Sequence, residues 1–218
     1  PIEGVIIVEP RVFNDPRGYF FESYNAKEFK ANGIDCDFVQ DNQSKSSYGV
    51  IRGLHCQRGE YCQAKLVRAL VGKVLDVVVD IRKNSPTFGQ HVAVELSDEN
   101  QRQLFMPHGC LHGFSVLSET AIFAYKVDNF YNKESEWGMR YDAPEFNKKL
   151  GSMYCLPWAS LPGSGNRLPG SRGGTEAFGN YRFAQPKTRL HRREQSLWRR
   201  CNSNYAQLHT GQREYYYS

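Results

Sequence analysis

Turn signals recur through residues 1–147, and they constrain the fold more than any other feature of the chain. They are Asn14-Asp15-Pro16-Arg17-Gly18, Tyr48-Gly49, Arg58-Gly59, Val71-Gly72-Lys73, Asn84-Ser85-Pro86, Ser97-Asp98-Glu99-Asn100 and Pro107-His108-Gly109. Each sets residues that accept tight backbone turns between short runs of Val, Ile, Phe and Leu. Runs this short and this closely spaced predict an all-β chain, an antiparallel barrel of the jelly-roll kind. From Val74 to Ile81 the residues alternate: Val74, Asp76, Val78 and Asp80 share one face, and Leu75, Val77, Val79 and Ile81 the other. An apolar face thus opposes one carrying two acids. One short N-terminal helix is expected, with Asn25 as its cap, Glu28 at the capping-box position and Gly33 at its end.

The run Ile51-Arg52-Gly53-Leu54-His55-Cys56-Gln57 is followed, after Arg58-Gly59-Glu60, by Gln63-Ala64-Lys65-Leu66-Val67-Arg68. The pattern predicts a hairpin with Gly53, His55 and Gln57 on one face of its first strand and Gln63, Lys65 and Val67 on one face of its second. A histidine with an ordinary pKa of about 6.5 accepts a proton near neutrality. A cation beside it stabilises the oxyanion formed when a carbon next to a carbonyl loses a proton. Cys56, adjacent to His55, is expected to face the other way.

Charge divides the chain. Residues 1–147 carry 16 Lys and Arg against 20 Asp and Glu, a balance of −4, whereas residues 148–218 carry 12 against 3, a balance of +9. The second segment has no Val, Ile or Asp. It reads as an atypical basic tail that is irregular or disordered, or the product of a shifted reading frame. Its arginines, interleaved with Tyr181, Phe183, Trp198 and Tyr205, also suit contact with RNA, but no nucleic-acid-binding motif accompanies them, and the accidental reading is favoured. The six cysteines are scattered without a CxxC pair and are expected to be free thiols. No apolar run approaches the roughly 18 to 20 residues that cross a bilayer, and no leader opens the chain at Pro1, so the reading is a cytoplasmic protein.

IRGLHCQ, AKLVRALVGKVLDVVVDIRKNSPTFGQ, LSDENQRQLFMPHGCLHGF and FVQDN together resemble the dTDP-4-dehydrorhamnose 3,5-epimerase family of nucleotide-sugar enzymes, in register from about Val8 to Ala143. The resemblance implies a cupin-like jelly roll and inversion of C3 and C5 of dTDP-4-dehydro-6-deoxy-D-glucose through an enolate. It implies His55 as base, Lys65 as stabiliser of the C4 enolate oxygen and Tyr125 as acid. It implies nucleotide-sugar contacts from Arg17, Glu22, Gln40, Asp41, Asn42, Arg52, His112, Tyr131 and Glu136, with Tyr131 stacked on thymine. It also implies a homodimer that exchanges N-terminal strands, with no cofactor. Metal-binding cupins present a second histidine two residues after the first; Gln57 stands there, and an amide oxygen is a poor transition-metal ligand, so metal-free chemistry is expected.

The resemblance stops after about Ala143. The family orients its catalytic histidine with an aspartate from a Ser-x-Lys-Asp motif, and no aspartate follows residue 150. Asp76 and Asp80 are then the candidates for a substitute partner of His55. The alternatives to a double epimerase are a 3-epimerase that inverts one centre and a nucleotide-sugar-binding protein whose catalysis is impaired.

Overall fold

The computed structural model describes residues 2–139 and 180–186. In chain order they form β1 (Ile6–Pro10), β2 (Phe13–Asp15), β3 (Gly18–Phe20), the helix α1 (Ala26–Ala31), β4 (Gln40–Ser47), β5 (Ile51–Gln57), β6 (Lys65–Val71), β7 (Lys73–Asp80), β8 (His91–Ser97), β9 (Gln103–Met106), β10 (Cys110–Val116), β11 (Thr120–Val127), β12 (Glu136–Gly138) and β13 (Tyr181–Ala184). Two sheets carry the fold, one in the order β13-β1-β9-β6-β11-β4 and one in the order β12-β5-β10-β7-β8, and β2 and β3 make a separate ribbon. Every pairing is antiparallel. None of the described helices is long and apolar enough to cross a membrane.

Alternation along the strands builds three apolar clusters. Val67, Ala69 and Phe123 of the first sheet meet Val74, Val78, Val94, Phe114 and Val116 of the second in the central core. On the outer face of the first sheet, Val8, Leu66 and Phe105 pack with Phe29 and Ile34. On the outer face of the second sheet lie Leu54, Cys56, Val77, Val79 and Leu111. The period-two reading of β7 therefore holds, and Cys56 faces away from His55 as expected. Cys36, Cys56, Cys62 and Cys110 are free thiols; Cys155 and Cys201 lie outside the described residues.

Helix α1 starts where the Asn25 side chain accepts from the Lys27 and Glu28 amides. It ends in a Schellman arrangement, in which Gly33 N–H donates to the Lys30 carbonyl and Ile34 N–H to the Phe29 carbonyl. Gly33 supplies the left-handed φ of +89° that this ending needs. Ile34 and Phe29 then pack together against the outer face of the first sheet.

Two expectations are corrected. First, β5 and β6 are not a hairpin: β5 pairs with β10 and β12, and β6 with β9 and β11. The chain crosses between the sheets through a single turn of 3-10 helix at Gly59–Tyr61. Residues 58–64 are too many for a tight turn, and each run finds its partners in a different sheet. Second, the tail segment Tyr181–Ala184 extends the first sheet as β13, with β1 between it and β9. Aromatic residues favour strands as β-branched ones do. Tyr181 is buried in the cluster around Phe29, and Phe183 packs on the same ring edge-on.

Asp80 fastens the end of β7. Its carboxylate accepts from Arg82 Nε at 3.0 Å and Nη2 at 2.9 Å, from Ser85 Oγ at 2.6 Å and from Thr87 Oγ1 at 2.6 Å. Burial alone raises a carboxyl pKa, yet the bonds from Arg82, Ser85 and Thr87 together hold Asp80 far below the usual carboxylate range. A depressed native-state pKa means that this stability is complete above the unfolded value of about 3.9 and is lost as pH falls below it. Asp80→Ala is expected to cost about 3 kcal/mol in urea unfolding at pH 7. The difference from the unmutated chain should shrink below about pH 4; a constant difference at all pH values would show that the charge is immaterial.

Candidate active site

His55, Lys65, His112, Tyr125 and Asp76 converge on the inner faces of the two sheets. His55 on β5 lies opposite His112 on β10, with ring centroids 6.1 Å apart. The register between β5 and β10 slips between His112 and Phe114. Gly53, with φ of +102°, allows this, because a Cβ there would overlap the His112 carbonyl and the Gly113 Cα. Lys65 begins β6 on the other sheet and is 4% exposed. Its Nζ lies 5.8 Å from the centre of the Tyr125 ring. The described part of the sheet interior therefore sets one cation between a histidine of one sheet and a tyrosine of the other.

Exclusion of water sets the protonation of these groups. Burial, with a contribution from Lys65, brings His55 down to about 3, so its imidazole is unprotonated at every pH near neutrality. Burial lowers Lys65 to about 8, against the opposing pull of Cys56, Asp76 and Glu136. Burial raises the Tyr125 phenol, which stays protonated.

Asp76 does not partner His55. Its Oδ2 stands 2.8 Å from His112 Nε2, and both residues are buried. Burial raises the Asp76 carboxyl and lowers the His112 imidazole, so the pair carries no net charge. The pair of acids on one face of β7 was the visible signal; the residue that Asp76 serves was not, because pairing of β7 with β10 is a tertiary event. Asp80 is also unavailable to His55, since Arg82, Ser85 and Thr87 use it. Among the described residues no carboxylate hydrogen-bonds His55.

A second group of candidates lines up beside the first. Gln40 donates to Asn42 at 2.9 Å and accepts from the Tyr131 amide at 3.2 Å. The Tyr131 hydroxyl donates to Glu136 at 2.9 Å. Asn42 lies opposite Tyr125 across β4 and β11. Arg52 donates to Ser46 at 2.9 Å, and its charge reaches both His55 and Tyr125. Three expected residues are not brought in. Asp41 alternates to the opposite face of β4 from Asn42 and pairs with Lys126 at 3.0 Å. Arg17 sits on the exposed ribbon and pairs with Asp15 at 2.6 Å. Glu22 accepts from Asn25 and from the Tyr181 hydroxyl, each at 3.0 Å, beside α1.

A groove of about 370 Å3 takes in Asp41, Asn42, Arg68, Tyr125 and Lys126 but none of His55, Lys65 and His112. Its other walls come mainly from outward-facing residues of β6 and β11, so it is not the space between the histidines and Lys65. Among the described residues no three His, Cys, Asp or Glu side chains stand close enough together to hold a metal ion. Gln57, which stands where a metal-binding cupin has a histidine, spends its amide on the backbone instead. Of the tail aromatics, Tyr181 and Phe183 pack on Phe29, and Trp198 and Tyr205 lie outside the described residues.

The family model described as dTDP-4-dehydrorhamnose 3,5-epimerase matches residues 1–158. A relative of that name from Salmonella typhimurium is 60% identical over 162 residues, covering 74% of this chain and 85% of its own. The chain belongs to the dTDP-4-dehydrorhamnose 3,5-epimerase family. A family structure from Legionella pneumophila, solved with dTDP-4-keto-L-rhamnose, superimposes with a TM-score of 0.64 at 51% identity, over 66% of this chain and 77% of that one. A 3'-monoepimerase from Streptomyces bikiniensis, solved with dTDP-quinovose, is 30% identical with a TM-score of 0.63, over 66% of this chain and 74% of its own. The cupin-like sandwich is thus the family's fold.

Removing the carboxyl that His112 bonds should be felt in stability. Asp76→Ala leaves a buried imidazole nitrogen unpaired and is expected to lower the free energy of unfolding by about 1 to 3 kcal/mol. The urea midpoint should fall at unchanged m. An unaltered midpoint would mean that water or another group satisfies His112.

Proposed function

We propose that the chain epimerises C3 and C5 of dTDP-4-dehydro-6-deoxy-D-glucose to give dTDP-4-dehydro-L-rhamnose. The observation that carries this reading is buried Lys65 flanked by His55 from one sheet and Tyr125 from the other. A C4 ketone makes the hydrogens at C3 and C5 acidic. His55, held neutral, takes the proton from carbon, and the electron pair moves onto the C4 oxygen. Lys65 offers positive charge to that enolate oxygen. Tyr125, reaching in from the opposite sheet, returns a proton to the other face of the carbon, which inverts it. The same arrangement serves both centres when the sugar turns about its glycosidic oxygen.

The nucleotide is assigned to the neighbouring group. Arg52 suits the diphosphate, since a guanidinium fork donates two parallel bonds. Tyr131, more than half exposed beside Gln40 and Asn42, suits stacking on the thymine. Arg17 and Glu22 stand away from the site of their own chain, and Phe13, Tyr19 and Phe20 of the ribbon are exposed. This supports a homodimer in which the ribbon of one copy reaches toward the site of the other. A sedimentation experiment at micromolar concentration should give twice the monomer mass; a monomer would remove Arg17 and Glu22 from the site.

The second reading is a nucleotide-sugar-binding protein with impaired turnover, favoured by the lack of any carboxylate bonded to His55 among the described residues. Replacing the tail from Lys148 by a family segment containing Ser-x-Lys-Asp separates the two. A rise by orders of magnitude supports impairment, and equal activity shows that His55 needs no such partner.

His55→Asn should abolish deuterium uptake from solvent at C3 and C5 while dTDP still binds. Tyr131→Ala should weaken dTDP binding by roughly 1 to 3 kcal/mol, the worth of one stacked base. Uptake at C3 alone in the unmutated chain would point to a single-centre enzyme.

The pH dependence of kcat/KM follows from the two bases. His55 is unprotonated at any pH above about 3, so no acid limb is expected near 6.5. The Lys65 cation is lost as pH rises through about 8, so the rate should fall there. Lys65→Arg should move that limb upward; a limb that stays put belongs to another group.

A further inference from the structure

Gln57 closes β5 two residues after His55 and is 5% exposed. Its amide is fully used by backbone. Nε2 donates to the Tyr61 carbonyl at 2.7 Å and to the Phe130 carbonyl at 3.0 Å, and Oε1 accepts from the Asn132 N–H at 2.6 Å. Phe130 and Asn132 are the two residues that flank Tyr131. The remaining backbone donor, the Tyr131 N–H, goes to Gln40. The Tyr131 hydroxyl goes to Glu136, which lies directly opposite Gln57 across β12 and β5. Tyr131 is therefore exposed yet held through its backbone on both sides and through its ring tip.

We propose that Gln57 is a positioning residue that sets the Tyr131 platform in register with His55, so that a nucleotide stacked on Tyr131 delivers its sugar to the base. The proposal rests on the assignment of Tyr131 to the nucleobase. The residue type follows from the bonds. Two donors and one acceptor in a single plane match an amide of this length and no other side chain. A carboxylate would set negative charge against two carbonyl oxygens, and a leucine would remove the partner of two carbonyls and one N–H at once. Because β5 carries both His55 and Gln57, the spacing between base and platform is fixed by one rigid strand rather than by the loop.

The test uses the full chain and dTDP as the probe, titrated by calorimetry. Gln57→Leu and Gln57→Glu are each expected to weaken dTDP binding about tenfold, a change comparable to Tyr131→Ala itself. The double variant Gln57→Leu/Tyr131→Ala should bind no more weakly than Tyr131→Ala alone, because Gln57 acts only through that ring. Losses that add in the double variant would overturn the proposal, since a general structural defect adds and a positioning effect does not. In Gln57→Glu the affinity relative to the unmutated chain at the same pH should recover as pH falls, because a protonated carboxyl regains one donor. Should Tyr131→Ala bind dTDP normally, the nucleobase assignment fails, and the fastening is judged separately by amide hydrogen exchange in Gln57→Leu. Faster exchange at Tyr131 and Asn132, with the strand amides unchanged, upholds it. Unchanged exchange at those two amides sinks it.

Discussion

Three ionisable side chains, Lys65, Asp76 and His112, are enclosed between two apolar sheets, and the chemistry of the molecule depends on that enclosure. An isolated charge in such a place is strongly disfavoured. Here the cost is lowered by neutralising Asp76 and His112 against each other and by leaving Lys65 within reach of Asp76, Glu136 and the Tyr125 ring. The same exclusion of water strips His55 of its proton and brings Lys65 close to titrating, so one physical cause sets the protonation of both groups. A more open sandwich would return both groups to ordinary values and separate their behaviour from the reaction.

Two-sheet geometry matters as much as burial. Inversion at carbon needs a group on each face of the sugar, and a single strand pair presents its side chains on one side only. Sending β5 and β6 into different layers places His55 and Tyr125 on opposite sheets rather than side by side, the arrangement that the proposed inversion requires. The hairpin expected from the short spacer would have set His55 and Lys65 together on one surface, with the acid left without a place.

The tail shows how far composition can mislead. A basic segment without Val or Ile reads as a poor source of strands, yet Tyr181 and Phe183 find a ready apolar floor in Phe29 and an open edge on β1. Two aromatics at alternate positions are enough, because the edge supplies the backbone partners and the helix supplies the surface. The Tyr181 hydroxyl then takes up Glu22, one of the carboxylates matched to the nucleotide sugar, and ties it to the outside of the first sheet.

Local signals determined much of this protein. Turn residues and period-two alternation announced an antiparallel jelly roll, Asn25 and Gly33 bounded the helix, and the motifs around His55 and Lys65 named the family. Those features are legible because they depend on neighbours along the chain. What only the tertiary structure decided is which groups meet across it. Asp76 belongs to His112 and not to His55, Gln57 belongs to the Tyr131 loop, and Arg17 and Glu22 stand apart from the site of their own chain. Each depends on contacts between segments far apart in the chain, and strand pairing at long separation leaves no periodic trace in the strands it joins.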